Sequence, residues 1–177
     1  PETHATSDVT TLLEIVENSD HAWIAKPPAG SLGRDVFLLR PGDTNNRAIL
    51  EHLCGQDGSQ YTLLQRRVEE IAEGEKRVLF SGGQVIGQYE RRAKTDHRTN
   101  LLQGGESHWC ELTSEESEYC REIGQFLSRF GANYVGMDLA YPWVIEFNVI
   151  NPGGITTIES LTGEDLTARA LDCLAWV

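Results

Sequence analysis

The sequence predicts an α+β fold, built from antiparallel sheets with flanking helices. Two stretches have the pattern of β-hairpins: residues 77–80 and 84–90 flank the turn Ser81-Gly82-Gly83, and apolar residues alternate with polar ones over 134–149. Between them, Thr113 and Glu116 match a capping box ahead of an apolar stripe with helical spacing, which Gly131 terminates. Because strand and helix periods occupy separate segments, we expect an antiparallel sheet with helices on one side.

The rest of the chain is divided into short segments. Apolar residues recur at helical spacing over residues 9–16, with Thr6 and Ser7 as candidate caps. Residues 92–108 are polar and rich in Gly, which is typical of a mobile loop. The other predicted elements are strands at 22–26, 35–39 and 61–66, a weak helix at 44–54, and closing helices at 156–161 and 163–176.

Length and charge limit the classes of function. With 177 residues, the chain can bury one substantial core but is short for two. Its formal net charge of −12 argues against nucleic acid or an anionic membrane as a partner. A single nucleotide remains compatible, because local Lys, Arg and backbone N–H groups can neutralise a triphosphate.

The cysteines and the apolar runs indicate where the protein works. Cys54, Cys110, Cys120 and Cys173 show no C-x-x-C spacing and no metal-ligand spacing with His, so we expect buried or half-buried, non-catalytic thiols. No apolar run is long enough to span a membrane, and no secretory signal opens the chain. We therefore expect a cytoplasmic protein. Because the first residue is Pro1, we also expect a fragment or a processed product.

The hairpin at 134–149 carries the clearest chemical pattern. Along both strands apolar residues alternate with polar ones, and the polar positions include Asp138, Glu146 and Asn148. A three-residue loop, 141–143, would place Asp138 opposite Glu146, with Asn148 one pair further along the same face. Two carboxylates and an amide oxygen on one sheet face suit magnesium. The alternative is a solvated polar face, which is common on antiparallel sheets.

Basic residues mark two candidate anion sites. Lys26 ends an apolar strand and precedes a loop with Gly30 and Gly33, where backbone N–H groups can surround phosphate. An ordinary surface lysine is the alternative. A second basic cluster, between Arg91 and Asn100, is either a lid over an anionic substrate or a solvated run of charge. Residues 65–71 lie between a strand and a hairpin, and an extended segment there can contact adenine through its backbone.

The order of these segments is more specific than any one of them. It resembles the ATP-grasp fold, and more narrowly the ATP-binding domain of prokaryotic glutathione synthetase, over essentially the whole chain. The segments that carry the resemblance are Ile24-Ala25-Lys26-Pro27, Gly74-Glu75-Lys76-Arg77-Val78-Leu79, Arg98-Thr99-Asn100-Leu101 with Gly104-Gly105, Val135-Gly136-Met137-Asp138, and Ile145-Glu146-Phe147-Asn148-Val149-Ile150-Asn151-Pro152-Gly153.

The resemblance implies a role for each matching residue. The cofactor is ATP, with Mg²⁺ held by Asp138, Glu146 and Asn148. The catalytic residues are Arg77, Arg98 and Asn100. The implied nucleotide-binding residues are Lys26, Gly30, Ser31, Gly33, Gln65, Glu69, Glu70, Ile71 and Lys76. The implied substrate-binding residues are Arg91, Asn151, Pro152, Gly153 and Gly154.

The sequence departs from the family pattern at two places. The loop 30–35 has fewer glycines than the family's phosphate loop, which puts its closure in doubt. The lid begins Lys94-Thr95-Asp96 where the family usually has a Gly pair, and residues 91–100 are equally similar to the ribosomal-protein glutamate ligases. By the same resemblance, we expect that the family's N-terminal domain, which supplies part of the substrate site and the dimer contacts, is missing from this chain.

The implied activity is ATP-dependent ligation of a carboxylate to an amine through an acyl phosphate, joining γ-glutamylcysteine and glycine. The alternatives are a relative that adds amino acids to a peptide or protein, and a nucleotide-binding module without catalysis. We expect one ATP-grasp domain over 1–177 with subdomains of about 1–65 and 66–177. A small molecule or peptide is the expected substrate, and the missing domain would make any homo-oligomer.

Overall fold

The computed structural model describes residues 1–30, 33–55, 57–92 and 106–174. The chain divides into two compact units, Pro1–Glu69 and Glu70–Val177. Each unit contains its own antiparallel sheet. Within the described ranges, no helix has the length and apolar character needed to cross a membrane.

The part of the first unit that the structure describes is a four-stranded sheet with two helices. Its hydrophobic core joins Leu12 and Val16 of the first helix, Leu50 of the second, and Trp23 and Leu64 of the sheet, all of them fully or almost fully buried. The sheet has the order β1-β4-β2-β3. Its elements are β1 (Thr3–Thr6), α1 (Val9–Glu17), β2 (Trp23–Lys26), β3 (Phe37–Leu39), α2 (Asn46–Cys54) and β4 (Thr62–Arg66).

The N-cap of α1 differs from the expected one. Asp8 is the N-cap, and its Oδ1 accepts a hydrogen bond of 2.9 Å from the Thr10 backbone N–H. Thr6 cannot serve, because it ends β1 and pairs with Thr62 in the sheet. A carboxylate at this position satisfies one of the backbone N–H groups left unpaired at a helix start.

In the second unit, the described residues form a five-stranded sheet and three α-helices. Its strand order is β7-β6-β5-β8-β9, with every neighbouring pair antiparallel. A 3-10 helix, Glu69–Glu73, precedes it. The elements are β5 (Glu75–Ser81), β6 (Gln84–Arg92), β7 (Glu106–His108), α3 (Ser114–Arg129), β8 (Tyr134–Ala140), β9 (Trp143–Asn148), α4 (Ile155–Thr162) and α5 (Leu166–Leu174).

Helices cover both faces of this second sheet, so the expectation of helices on one side is wrong. On one face, α3 packs against Val78, Phe80 and Met137. On the opposite face, α4 and α5 pack against Leu79 and Ile86. Successive side chains of a strand point to opposite faces, and β5 is apolar in both directions over residues 78–80. Residues 78–80 therefore contribute to two hydrophobic layers, one on each face of the sheet.

The capping box at the start of α3 is confirmed. The Thr113 side chain accepts from the Glu116 backbone N–H at 3.2 Å, and Glu116 Oε2 accepts from the Thr113 backbone N–H at 2.8 Å. Gly131 follows the helix with φ of 73°, a left-handed conformation that glycine adopts without steric cost. The local pattern therefore located both ends of this helix correctly.

The turn between β8 and β9 is shorter than predicted. Ala140 pairs directly with Trp143, which leaves a two-residue turn in place of the expected loop 141–143. Asp138 is nevertheless opposite Glu146, because the register shifts by one residue between Asp138 and Leu139. A β-bulge of this kind adds an unpaired residue to one strand. The predicted pairing is therefore confirmed, although it arises from a different backbone path.

Candidate functional site

Charged residues gather on the α4 and α5 face of the second sheet, near the start of β5. Arg77 pairs with Asp138 of β8, and Asp138 pairs with Glu146 of β9. Two residues earlier on β5, Glu75 pairs with Arg91 of β6. Residues two apart on a strand share a face, so the pairing brings all five side chains to the same side of the sheet.

Asp138 lies between two arginines. Its Oδ1 is 2.6 Å from Arg77 Nε and 2.7 Å from Arg91 Nη2. The 2.6 Å approach is an ion pair by distance, without hydrogen-bond geometry, whereas Arg77 Nη2 donates to Asp138 Oδ2 at 3.3 Å. Arg91 Nη2 also forms a very short contact with Glu75 Oε1. Asp138 and Glu75 together therefore compensate two guanidinium groups.

This charged group is buried. Asp138 and Glu75 are each 4% exposed, Arg91 is 5% exposed and Arg77 is 8% exposed. Burial disfavours the charged guanidinium of Arg91, but the carboxylates of Asp138 and Glu75 outweigh burial and raise its pKa above the ordinary value. Removal of one member would leave an uncompensated charge away from water, which is much costlier than the pair itself.

The three predicted magnesium ligands are placed on two neighbouring strands of this face. Asn148 pairs with Gly136, one step along from the pair of Asp138 and Glu146. Asp138 is buried and Glu146 is exposed, so the row runs from the interior to the solvent. Among the described residues, no three His, Cys, Asp or Glu side chains are grouped to hold a metal, so the site depends on the amide of Asn148 as its third oxygen donor.

Asn148 gives an independent sign that a cation fits. Its Nδ2 is buried and has no hydrogen-bond partner within the described part of the chain. The two ends of an amide are nearly indistinguishable by shape, so the same rotamer turned over presents its oxygen there. Two carboxylates and an amide oxygen form the hard donor set that magnesium prefers. The residues present thus fit the metal that the sequence implied.

The segment after β9 passes over the same face. Arg77 Nη1 donates to the Gly153 carbonyl at 3.4 Å, and the Tyr134 hydroxyl donates to the Pro152 carbonyl at 3.4 Å. Gly136 lies beneath this segment, where a Cβ atom would be 2.9 Å from Arg77 Nη1 and 3.0 Å from Pro152 Cβ. The structure therefore places three predicted substrate residues near Asp138. Arg91 contacts Asp138 directly, Gly153 contacts its partner Arg77, and Pro152 lies over Gly136 of the same strand.

The segment 151–154 has an unusual backbone. Asn151 has φ of 50° and Gly154 has φ of 138°. A Cβ atom on Gly154 would be 3.3 Å from both Leu79 and Tyr89, and its φ is one that L side chains rarely adopt. Gly154 thus lets the chain turn closely over the sheet into α4, which starts at the next residue.

Two residues of this site were missed by the sequence reasoning. Glu75 and Gly136 lie inside segments that carried the family resemblance, but neither was assigned a role. Their importance comes from the pairings of β5 with β6 and β8, because Glu75 meets Arg91 there and Gly136 makes room for Arg77 and Pro152. The sequence offers no clear signal for their roles, because Glu75, Lys76 and Arg77 are charged in succession and do not mark one face of a strand.

Lys76 is separated from this group. Its Nζ contacts Glu116 Oε2 at 2.5 Å and donates to the Glu111 carbonyl at 3.1 Å. Glu116 belongs to α3, which packs on the other face of the sheet. The predicted nucleotide-binding role of Lys76 is therefore unsupported. Lys76 is next to Arg77 on β5, and neighbouring side chains of a strand point to opposite faces of the sheet.

Two predicted nucleotide residues meet in the first unit. Lys26 Nζ donates to Gln65 Oε1 at 3.2 Å, across the pairing of β2 with β4. Gln65 Nε2 in turn donates to Thr3 Oγ1 at 3.3 Å. Gly33 follows with φ of 66°, and Gly30 is exposed. Ser31 lies outside the described residues.

The segment 65–71 is less extended than expected. β4 ends at Arg66, and Glu69 and Ile71 belong to the 3-10 helix. Glu70 Oε1 accepts a hydrogen bond of 3.2 Å from Trp143 Nε1. The strand predicted to end at Arg66 does so, but the extended segment expected over 65–71 does not continue beyond residue 68, because the 3-10 helix begins at Glu69. Of the remaining catalytic predictions, Arg98 and Asn100 lie outside the described residues, as does most of the predicted lid.

Comparison with known proteins gives the family. Residues 1–163 match the family described as prokaryotic glutathione synthetase, ATP-grasp domain. The glutathione synthetase of Nostoc sp. strain PCC 7120 is 33% identical over 178 residues, which cover 100% of this chain and 53% of that protein. That of Gloeobacter violaceus is 34% identical over 175 residues, covering 98% of this chain and 53% of the relative. The chain spans about half the length of the curated relatives it matches.

Solved structures show the same fold. A RimK domain protein ATP-grasp from Sphaerobacter thermophilus superposes with a TM-score of 0.69 at 16% identity, over 98% of this chain and 61% of that one. The D-cycloserine synthetase DcsG gives a TM-score of 0.67 at 15% identity, over 96% of this chain and 63% of that one. At these identities the likeness shows the fold alone, and the predicted ATP-grasp fold is confirmed.

Proposed function

Since the chain belongs to the prokaryotic glutathione synthetase ATP-grasp family, we propose that it is the nucleotide- and magnesium-binding part of an ATP-dependent carboxylate–amine ligase. The observation that carries the proposal is the buried group of Arg77, Asp138 and Arg91 beside Glu146 and Asn148. A structural role alone rarely explains buried ionic groups at the edge of a polar row, since burial of charge is costly.

The proposed reaction has two steps. A substrate carboxylate attacks the γ-phosphate of ATP, which forms an acyl phosphate and releases ADP. The amine then attacks the acyl carbon, and the C–O bond to phosphate breaks as the C–N bond forms. The amine loses a proton, and inorganic phosphate leaves. The relatives named glutathione synthetase point to γ-glutamylcysteine as the acid and glycine as the amine.

Each residue has a proposed part in this reaction. Asp138, Glu146 and Asn148 would hold magnesium, whose charge when bound offsets that of the phosphate oxygens. Lys26 would bind phosphate, with Gly30, Ser31 and Gly33 as the loop around it. Arg77 would stabilise charge on the transferred phosphoryl group, since a guanidinium in a buried site acts more strongly than one in water.

The remaining predicted residues would enclose the nucleotide and the substrate. Gln65, Glu69, Glu70 and Ile71 would contact the nucleotide, and the segment 151–154 with Arg91 would contact the substrate. Arg98 and Asn100 would belong to a lid that excludes water, because an acyl phosphate hydrolyses readily. These assignments, together with the subdomain division and any homo-oligomer, remain predictions from the sequence. The cytoplasmic location also remains a prediction.

A ligase that adds amino acids to a peptide or protein is the second candidate. It is favoured by residues 91–100, whose sequence is equally similar to ribosomal-protein glutamate ligases, and the fold is shared with the RimK domain protein. The two candidates differ in the acceptor and share the nucleotide site. A non-catalytic module is disfavoured, because Lys26, Asp138, Glu146 and Asn148 are all retained.

The test is ADP release by the full-length polypeptide with ATP, magnesium, γ-glutamylcysteine and glycine. We expect release that requires all four, with glutathione as the product by mass spectrometry. Release with glutamate and a peptide acceptor, but not with glycine, would select the second candidate. Absence of any acceptor-dependent release, with ATP bound in calorimetric titration, would leave the non-catalytic module and contradict the ligase proposal.

A further inference from the structure

Glu75 shares a partner, Arg91, with the row of proposed metal ligands. Arg91 Nη2 lies between two carboxylates: it contacts Glu75 Oε1, and it is 2.7 Å from Asp138 Oδ1. Arg91 reaches Asp138 from β6, across β5, where Glu75 is its direct pairing partner. All three residues are at most 5% exposed, so water does not substitute for any of them.

We infer that Glu75 is a positioning residue, which acts through Arg91 to keep the Asp138 carboxylate available to the metal ion. This inference rests on the proposed function. Two arginines and two carboxylates meet in this buried group: Asp138 contacts both Arg77 and Arg91, and Glu75 contacts Arg91.

The reason is electrostatic competition for one oxygen. Without the charge of Glu75, Asp138 would be the one carboxylate that the described residues place against both guanidinium groups, and a divalent cation would have to enter a site with an excess of positive charge. Interactions between charges are much stronger in a buried site than in water, so this excess would be poorly screened. Glu75 offsets this excess of positive charge. It also holds Arg91 Nη2 by its contact with that atom, which limits how far Arg91 competes for the Asp138 carboxylate.

The neighbouring residue provides a matched control. Lys76 and Glu116 form an ion pair on the opposite face of the same strand, and Glu116 is also mostly buried, with a 9% exposed side chain. Glu116→Gln removes a buried carboxylate from an ion pair, as Glu75→Gln does, but it leaves the face of Asp138 unchanged. A general effect of lost charge or stability should appear in both variants.

The experiment titrates Mn²⁺ into the full-length protein with a non-hydrolysable ATP analogue, and follows free Mn²⁺ by electron paramagnetic resonance. We expect Glu75→Gln to raise the Mn²⁺ dissociation constant by roughly 10- to 100-fold, the range found when partners of metal ligands are removed. Glu75→Asp, which retains the charge, should restore most of the affinity. Glu116→Gln should leave the dissociation constant within about twofold, even if it lowers the melting temperature.

A double-mutant cycle tests whether Glu75 acts through Arg91. In an Arg91→Met background, which removes the competing guanidinium, Glu75→Gln should no longer weaken Mn²⁺ binding. This background also protects the test against misfolding, because removing both members of a buried pair costs less than removing one.

Three results would overturn the inference. The first is an unchanged Mn²⁺ affinity in folded Glu75→Gln protein, and the second is an equal loss in the Arg91→Met background. The third is a loss of affinity for the ATP analogue without metal, with Mn²⁺ affinity retained, which would make Glu75 a nucleotide contact. Failure of the proposed function itself is recognised separately, because the unmutated protein would then bind no Mn²⁺ with the analogue present.

Discussion

The two faces of the second sheet are built from the same strands but serve different purposes. The face under α3 is an apolar layer around Val78, Phe80 and Met137, each of them 0% exposed. On the face under α4 and α5, an apolar patch around Leu79 gives way to the buried charges of Arg77 and Asp138. Buried ionic groups contribute little net stability, whereas buried apolar side chains contribute about 1.5–3 kcal/mol each. We infer that one face stabilises the sheet on which the other face holds its charged site.

The difference also shows how one strand can serve both purposes. Along β5, Lys76 and Val78 point towards α3, while Glu75 and Arg77 point towards the charged group. The strand is rigid because it is central, with β6 on one side and β8 on the other. Side chains on a central strand are held more accurately than those on a loop, which suits a site that depends on oxygen positions.

The largest effect should come from Asp138→Ala compared with Glu146→Ala. Both changes should reduce magnesium-dependent turnover of the full-length protein by at least about 100-fold, since each removes a proposed ligand. Only Asp138→Ala should also destabilise the fold, by about 3–5 kcal/mol, because it removes the carboxylate beside buried Arg77 and leaves Arg91 with Glu75. Turnover assays and urea denaturation check the two effects, and equal stability of the two variants would contradict the buried-pair interpretation.

Met137→Ala on the α3 face should have a smaller effect of the opposite kind, which lowers stability and leaves metal binding unchanged. Met137 neighbours Asp138 in sequence but is fully buried in the apolar layer. The change should lower the free energy of unfolding by about 2–5 kcal/mol, through the lost contacts and the cavity left behind. Mn²⁺ affinity measured well below the melting temperature should be unchanged. A loss of metal binding at full foldedness would show that the two faces are coupled.

The smallest effect is expected at the cysteines beside α3. Burial raises the pKa of Cys110 to about 11 and that of Cys120 to about 12. At pH 8 a thiol of pKa 11 is ionised in roughly one molecule in a thousand, and only the thiolate reacts readily. Iodoacetamide should therefore modify both slowly at pH 8, with the rate at Cys110 rising towards pH 11. Rapid labelling at pH 8, followed by mass spectrometry, would contradict the assignment of these thiols as inert.

Local patterns in the sequence predicted much of the fold. The hairpin of β5 and β6, the capping box of Thr113 and Glu116, and the end of α3 at Gly131 all depend on residues close together in the chain. The opposition of Asp138 and Glu146 was also predicted, although the turn length was not. The alternation of polar and apolar residues restricts which faces of two strands can meet. A β-bulge adds a residue to one strand and so changes the pairing, but no clear sequence pattern marks its position.

The sequence by itself determined which chemical groups are available: a row of oxygen ligands, several arginines, and strands on which to place them. The tertiary structure alone decided that Arg77 and Arg91 share one carboxylate, that Lys76 faces α3, and that Glu75 belongs to the charged group. These facts depend on pairings between strands far apart in sequence, as with β5 and β8. The charge on a residue is a local property, whereas the partner that compensates it is set by which strands lie side by side.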